Sequence, residues 1–392
     1  MKKFLALALA VVTVLSLCSA CGIFGGSKEE ADNLFNEGLV RVKSGDKWGY
    51  IDKSGKYVIN PQFDSAGDFA DNGLAVVRVD EKYGYVNKKG EYVINPQFDY
   101  AGTFADNGLA LVESGDKYGY IDEKGKFAIN PQFDDAESFA DNGLALVEMD
   151  DKCGFVNKKG EYVINPQFDW ADSFADNGLA LVETGDKYGY INEKGEYVIN
   201  PQFEDADSFG DNGLAVVEVD GKCGYIDKSG KFVINPQFDY ATNFADNGLA
   251  LVAVDDKGGY INEKGEYVIN PQFDNAYSFT EDGLAAVCTG DKWGFIDKSG
   301  KYVINPQFDD VNSMYNGMSL VCNEDTELYG YINKKGEYVV NPQFDDASSF
   351  YDDGYAVVKS GEKWGVINKK GEYVINPQFD GIDWHQNYNF DW

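Results

Sequence analysis

The chain predicts an all-β fold of tandem β-meander repeats of about 35 residues, packed into an open, elongated, solenoid-like array. Three observations carry this. All ten prolines lie in one tetrapeptide, Asn-Pro-Gln-Phe, from Pro61 to Pro377, and recur every 35 residues apart from one step of 36, the signature of a repeat architecture. Each interval holds three runs rich in β-branched and aromatic residues, separated by short glycine-bearing turns. Each run is only about five residues long, and a lone meander of that size is marginal, so every copy must take its core from its neighbours. The alternative closure is a ring, a β-propeller of ten small blades. Gly38-Leu39-Val40-Arg41-Val42 supplies a first-type strand with no arm before it, and the C-terminal arm could return to it. Ten blades exceed the usual 4–8, which favours the open array, capped by residues 31–45 and 380–392.

The second copy, Gly73 to Asn107, shows the elements in order. Strands are predicted over Leu74 to Val79, Lys82 to Asn87 and Glu91 to Ile94. Asn87-Lys88-Lys89-Gly90 and its equivalents place glycine where a tight turn needs positive φ. Proline then fixes its own φ and offers no N–H, which is expected to end the ladder in every copy. An arm, Phe-Asp-x-Ala-x-x-Phe, leads to Asp-Asn-Gly and carries two apolar rows, one beginning at Phe63 and the other at Phe69; both are expected in the core. Five residues after the leading glycine, at Gly73 and its equivalents, the copies carry Arg78, Glu113, Glu148, Glu183, Glu218, Ala253, Cys288, Cys322 and Lys359. Their mostly charged character predicts a water-facing stripe.

The ends and the charge give an address. Residues 1–20 combine Lys2-Lys3, an apolar run from Phe4 to Leu17 and small residues before Cys21, the pattern of an export signal. The apolar run is short for a membrane span. Leu17-Cys18-Ser19-Ala20-Cys21-Gly22 resembles the lipobox of bacterial lipoproteins. That resemblance implies lipidation of Cys21 and an extracytoplasmic protein held on a bacterial membrane or cell surface by acyl chains. Residues 21–37 read as tether and N-terminal cap, 38–383 as ten repeats and 384–392 as an aromatic C-terminal cap. A formal net charge of −32 repels nucleic acid, so partners are expected among proteins or envelope polymers.

Lys47-Trp48-Gly49-Tyr50-Ile51-Asp52, followed by Gly55-Lys56-Tyr57-Val58-Ile59 and Asn-Pro-Gln-Phe, resembles the WG-containing repeat family, also described as KWG repeats. The likeness runs from Gly38 to Asp383 and implies a repeat protein of exported or envelope setting, mostly without known activity. At the position before this glycine, tryptophan stands only at Trp48, Trp293 and Trp364, whereas the glycine itself never changes, as at Gly49, Gly294 and Gly365. The glycine therefore answers a backbone demand in each copy, such as close approach of the neighbouring copy, and the ring is a replaceable packing element. Trp48, Gly49, Pro61, Phe63, Phe69, Gly73, Trp293, Gly294, Trp364 and Gly365 are accordingly structural.

No catalytic, cofactor or metal set emerges. Cysteines of the repeats lack metal spacing, Asp-Asn-Gly lacks a calcium-loop pattern, and the lone His385 lies beyond the last full copy. Cys288 and Cys322 hold the same position in adjacent copies and form a candidate disulfide if their Cα atoms lie near 5.5 Å. The sequence thus points to a surface-displayed binding or scaffolding lipoprotein without enzymatic activity, presenting an acidic repeat surface. A glycan-active envelope enzyme using carboxylates and a structural spacer are the alternatives.

Overall fold

A computed structural model describes residues 33–175 and 177–382 of the chain. Their 40 strands form ten antiparallel sheets of four strands each. Blade 2 shows the plan: an inner strand, Ser65–Phe69, then Leu74–Val79, Lys82–Asn87 and an outer edge strand, Tyr92–Phe98. The arm of each copy is therefore a strand in its own right, and it joins the sheet of the next copy.

The array is closed, which corrects the open arrangement expected above. The last arm, Gly381–Ile382, becomes the inner strand of blade 1, pairing with Leu39–Ser44 at Val42↔Ile382 and Lys43↔Gly381. The Asp380 N–H donates to the Lys43 carbonyl at 3.0 Å, and the Gly45 N–H donates to the Asp380 carboxylate at 2.7 Å. Within the stretches 31–45 and 380–392 expected to be caps, Leu39–Ser44 and Gly381–Ile382 are instead the strands that shut the ring. An unpaired sheet edge at each end of an open array would expose N–H and C=O groups, and closure removes both ends at once.

Burial explains why single copies need neighbours. Ten apolar clusters are present among the described residues, and each joins two adjacent blades. Between blades 3 and 4, Leu111, Tyr120, Ile129 and Phe133 meet the small Ala136, Ala145, Val147 and Val156. Large side chains on one face thus fill the space left by small ones on the next. Each large side chain contributes about 1.5–3 kcal/mol on burial. The Tyr120 hydroxyl donates to the Glu137 carbonyl of the next blade at 2.6 Å, and its ring lies 4.7 Å from Phe139. The same hydroxyl-to-carbonyl link recurs from Tyr50, Tyr85, Tyr190, Tyr225, Tyr260 and Tyr331. Phe63 and Phe69, the first members of the two phenylalanine rows, are buried in the cluster between blades 1 and 2.

The proline does not end the ladder. Edge strands run through Asn-Pro-Gln to the phenylalanine, as in Tyr92–Phe98. Registers Tyr83↔Phe98 and Tyr85↔Ile94 leave Gly84 alone opposite Asn95, Pro96 and Gln97, a bulge on the outermost strand. Proline is tolerated there because the edge demands no N–H from it. The bulge arches over the glycine: a Cβ on Gly84 would stand 2.5 Å from the Ile94 carbonyl and 2.6 Å from the Pro96 nitrogen. The invariant glycine therefore answers its own copy's third strand and not the neighbouring copy. A neighbouring copy approaches a different glycine, Gly90, which has φ of 77° and whose Cβ would lie 3.0 Å from Ile59 of the preceding blade.

Candidate functional site

Copies that share their core differ along one cross-strand row near the hairpin that joins each blade's second and third strands. Blade 3 carries Tyr100↔Glu113↔Tyr118 in this row. Blade 4 carries Asp135↔Glu148↔Cys153, blade 5 Trp170↔Glu183↔Tyr188, and blade 6 Asp205↔Glu218↔Cys223. Across the seam the sign reverses, with Lys359 in blade 10, Lys43 in blade 1 and Arg78 in blade 2. The middle position is the predicted water-facing stripe. It is half-buried where charged, and Ala253 and Cys288 are buried, because every blade face is covered by the next blade. Burial raises the carboxyls of Glu113, Glu148 and Glu218 above their ordinary range, reinforced by Asp99, Asp135 and Asp205 respectively.

Inner strands surround an axial channel, and a cavity of about 1550 Å³ opens along its blade 6 to blade 10 side. The arm position after the conserved alanine holds Glu137, Asp172 and Asp207 in three successive blades. Ser173 donates to the Glu137 carboxylate at 2.8 Å, and Ser208 donates to that of Asp172 at 3.4 Å. These bonds tie blades 4, 5 and 6 together around the channel. The surrounding channel wall pushes the Asp207 carboxyl up to about 6 although its side chain is exposed to the channel, with the Asp205 charge adding to it, and the same enclosure raises Asp135, Glu137, Asp310 and Asp346.

The junctions between one blade's edge strand and the next blade's inner strand, at the row's end of the ring, have the opposite electrostatics. Lysine of the Lys-Trp-Gly segment pairs with the aspartate after Gln-Phe, as in Lys47–Asp64, Lys82–Asp99 and Lys363–Asp380. The second carboxylate oxygen accepts the N–H of the next hairpin, at 2.9 Å from Asp80 to Asp64. The lysine hydrogen bond, followed by that backbone donor, holds Asp64, Asp99 and Asp380 below the usual carboxylate range.

These two sets act on stability with opposite sign. The junction carboxyls are depressed in the fold, so their stabilisation is present above about pH 4 and is lost on further acidification. Channel carboxyls are raised, so ionising them costs stability as pH climbs from about 4 towards the folded value, about 6 for Asp207. Because these channel carboxyls keep solvent contact, the melting temperature is expected to rise only slightly, by about 1 °C, between pH 7 and pH 5 and to fall below about pH 4. A scan that declines steadily from pH 7 downward would contradict this assignment, and Asp207→Asn should flatten the rise.

Trp48, Trp293 and Trp364 stand in the outer position of the row, in blades 1, 8 and 10. Lys359 lies over the Trp364 ring at 5.7 Å, and Trp293 stacks on Tyr277 at 4.9 Å. Gly49, Gly294 and Gly365 each sit under the bulge of their own edge strand, as does Gly84. Pro61 lies within the edge strand Tyr57–Phe63, and Gly73 turns the arm into the next strand with φ of 76°. Cys288 and Cys322 occupy equivalent places in blades 8 and 9 as thiols, with no disulfide between them. Burial pushes the Cys153 and Cys223 thiols up to about 12 and about 11, so neither is a nucleophile at neutral pH. Among the described residues no group of His, Cys, Asp and Glu is arranged to hold a metal ion. Cys21, the expected export segment and His385 with the expected aromatic cap lie outside the described residues. The sequence marks the middle and outer positions of this row as variable, but that the arm residue completes it shows only in the sheet, because the three members are separated along the chain. The available signal was that they are positions at which nearly identical copies disagree.

Ten four-stranded blades, closed by a strand from one end of the chain pairing with a strand from the other, define a β-propeller. The chain belongs to the WG containing repeat family, whose model matches ten successive segments from residues 48–83 to 364–388. No curated protein matches the chain. Among solved structures, a eukaryotic initiation factor is similar over 88% of this chain and 97% of its own, at 12% identity and a TM-score of 0.53. Hsv2p of Kluyveromyces lactis is similar over 68% of this chain and 97% of its own (10% identity, TM-score 0.34), and Sqt1 of Saccharomyces cerevisiae over 69% and 93% (9% identity, TM-score 0.33). At 12% identity the likeness to the initiation factor concerns the fold alone.

Proposed function

We propose that the protein is an exported, lipid-anchored binding propeller without catalytic activity, and that the copy-specific row at one end of the ring is its recognition face for a protein partner. One observation carries the reading. The copies agree at the bulge glycine and proline and nearly agree at the inter-blade tyrosine and phenylalanines, which hold the ring together. They differ in charge and ring content along the row and the channel wall, where nothing in the ring's assembly requires variety. Lipidation of Cys21 and an extracytoplasmic setting belong to the same proposal and rest on the lipobox resemblance.

The test uses a photoreactive phenylalanine analogue placed at Tyr118, in the row, or at Lys124, in the turn at the opposite end of the same blade. After irradiation in envelope extract, a discrete adduct is expected from Tyr118 and none from Lys124. Equal labelling from both ends would overturn the recognition face. Incorporation of labelled palmitate that survives Cys21→Ala would overturn the anchor.

A further inference from the structure

We propose that the cavity on the blade 6 to blade 10 side of the channel receives a lysine- or arginine-bearing segment of a partner protein; this deepens, and rests on, the recognition-face reading. Its volume of about 1550 Å³ exceeds the roughly 300–1,000 Å³ typical of small-molecule sites. Carboxylates line it from end to end. Asp205 and Glu218 belong to the variable row, Asp207 lies within the channel, and Asp211, Glu281 and Asp282 stand at the Asp-Asn-Gly end. No lysine or arginine occurs among its described lining residues. Of these six acids, Asp282 is already held by Lys334 at 2.8 Å.

A cleft lined by one sign of charge with poorly polarisable walls focuses the field and concentrates the opposite charge. The ring of Tyr240 adds an aromatic wall, a surface favourable to ammonium and guanidinium groups. A singly charged amine can satisfy only one part of a lining whose acids are spread from mouth to mouth. An extended polypeptide advances about 3.3 Å per residue and can set several cations against them in succession. The same field excludes nucleic acid and acidic glycans.

The experiment titrates the full chain against a fluorescent 12-residue peptide of alternating Lys and Ser, with a Glu–Ser peptide and spermine as comparisons. Saturable binding of the Lys peptide alone is expected. Asp205→Asn with Asp207→Asn should weaken it at least tenfold, whereas the equal charge change on the outer rim, Glu161→Gln with Glu196→Gln, should alter it less than twofold. Thr242→Lys, which places an ammonium group on the cavity wall, should also abolish binding, and thermal unfolding of each variant establishes that it is folded. Absence of binding, equal losses from channel and rim variants, or spermine binding as tightly as the peptide would each overturn the proposal. A failed peptide titration with row-specific cross-linking intact sinks this inference alone; loss of row specificity sinks the recognition face as well.

Discussion

Gly119→Ala is expected to destabilise the ring by about 3 kcal/mol or more, a cost at the upper end for overpacking a tight interior. A Cβ there would stand 2.6 Å from both the Ile129 carbonyl and the Pro131 nitrogen, and 2.8 Å from the Asn130 carbonyl carbon. All three are backbone atoms of the bulge, so no rotamer change relieves the clash. Relief requires flattening the bulge, which pulls Phe133 out of register with Tyr118 and so out of the cluster shared with blade 4. Gly115→Ala is the control. Its φ is 62° but nothing lies within 4 Å of its Cβ, so it should cost only about 1 kcal/mol, the conformational penalty alone. Denaturant unfolding separates the two, and equal midpoints would remove the bulge as the reason for the invariant glycine.

Ending the chain at Phe379 should cost about 5 kcal/mol relative to ending it at Ile382. Both truncations lack residues 383–392, so the difference isolates Asp380, Gly381 and Ile382. Ile382 is buried in the cluster joining blades 10 and 1, worth about 1.5–3 kcal/mol. Two ladder positions with Lys43 and Val42 and the Asp380 contacts to Gly45 and Lys363 add roughly 1 kcal/mol per hydrogen bond. The shorter chain would also present Leu39–Ser44 as an unpaired edge, an invitation to association. A lower melting temperature and a larger radius of gyration in solution scattering are expected for it. Indistinguishable truncations would mean that the seam pairing does not hold the ring.

Much of the blade was readable in advance because local chemistry sets it. Two of the three predicted strands of the second copy coincide with the observed ones, Leu74–Val79 and Lys82–Asn87, since side-chain alternation and turn glycines act within a few residues. The third extends to Phe98 because a bulge depends on what lies opposite, and Gly84 is twelve residues away from Pro96. The arm was read as a connection since its inner strand has only two residues in most blades, too few for a pattern. Arg41 illustrates a long-range exchange. It stands where blade 2 has Val76, yet it is buried because Asp68 of the next blade meets it at 3.1 Å.

By itself the sequence determined the number of copies, their β character, the turns and the need of each copy for a neighbour, all consequences of periodicity and of residues with restricted backbones. Whether the array closes was decided only in three dimensions. Closure is the sum of the rotation at every inter-blade joint, and a small change per joint, repeated around the array, separates a ring from an open helix without altering any local pattern. That same closure gathers Asp205, Asp207 and Asp282 around one cavity and places Lys43 and Arg78 on the other side of the axis.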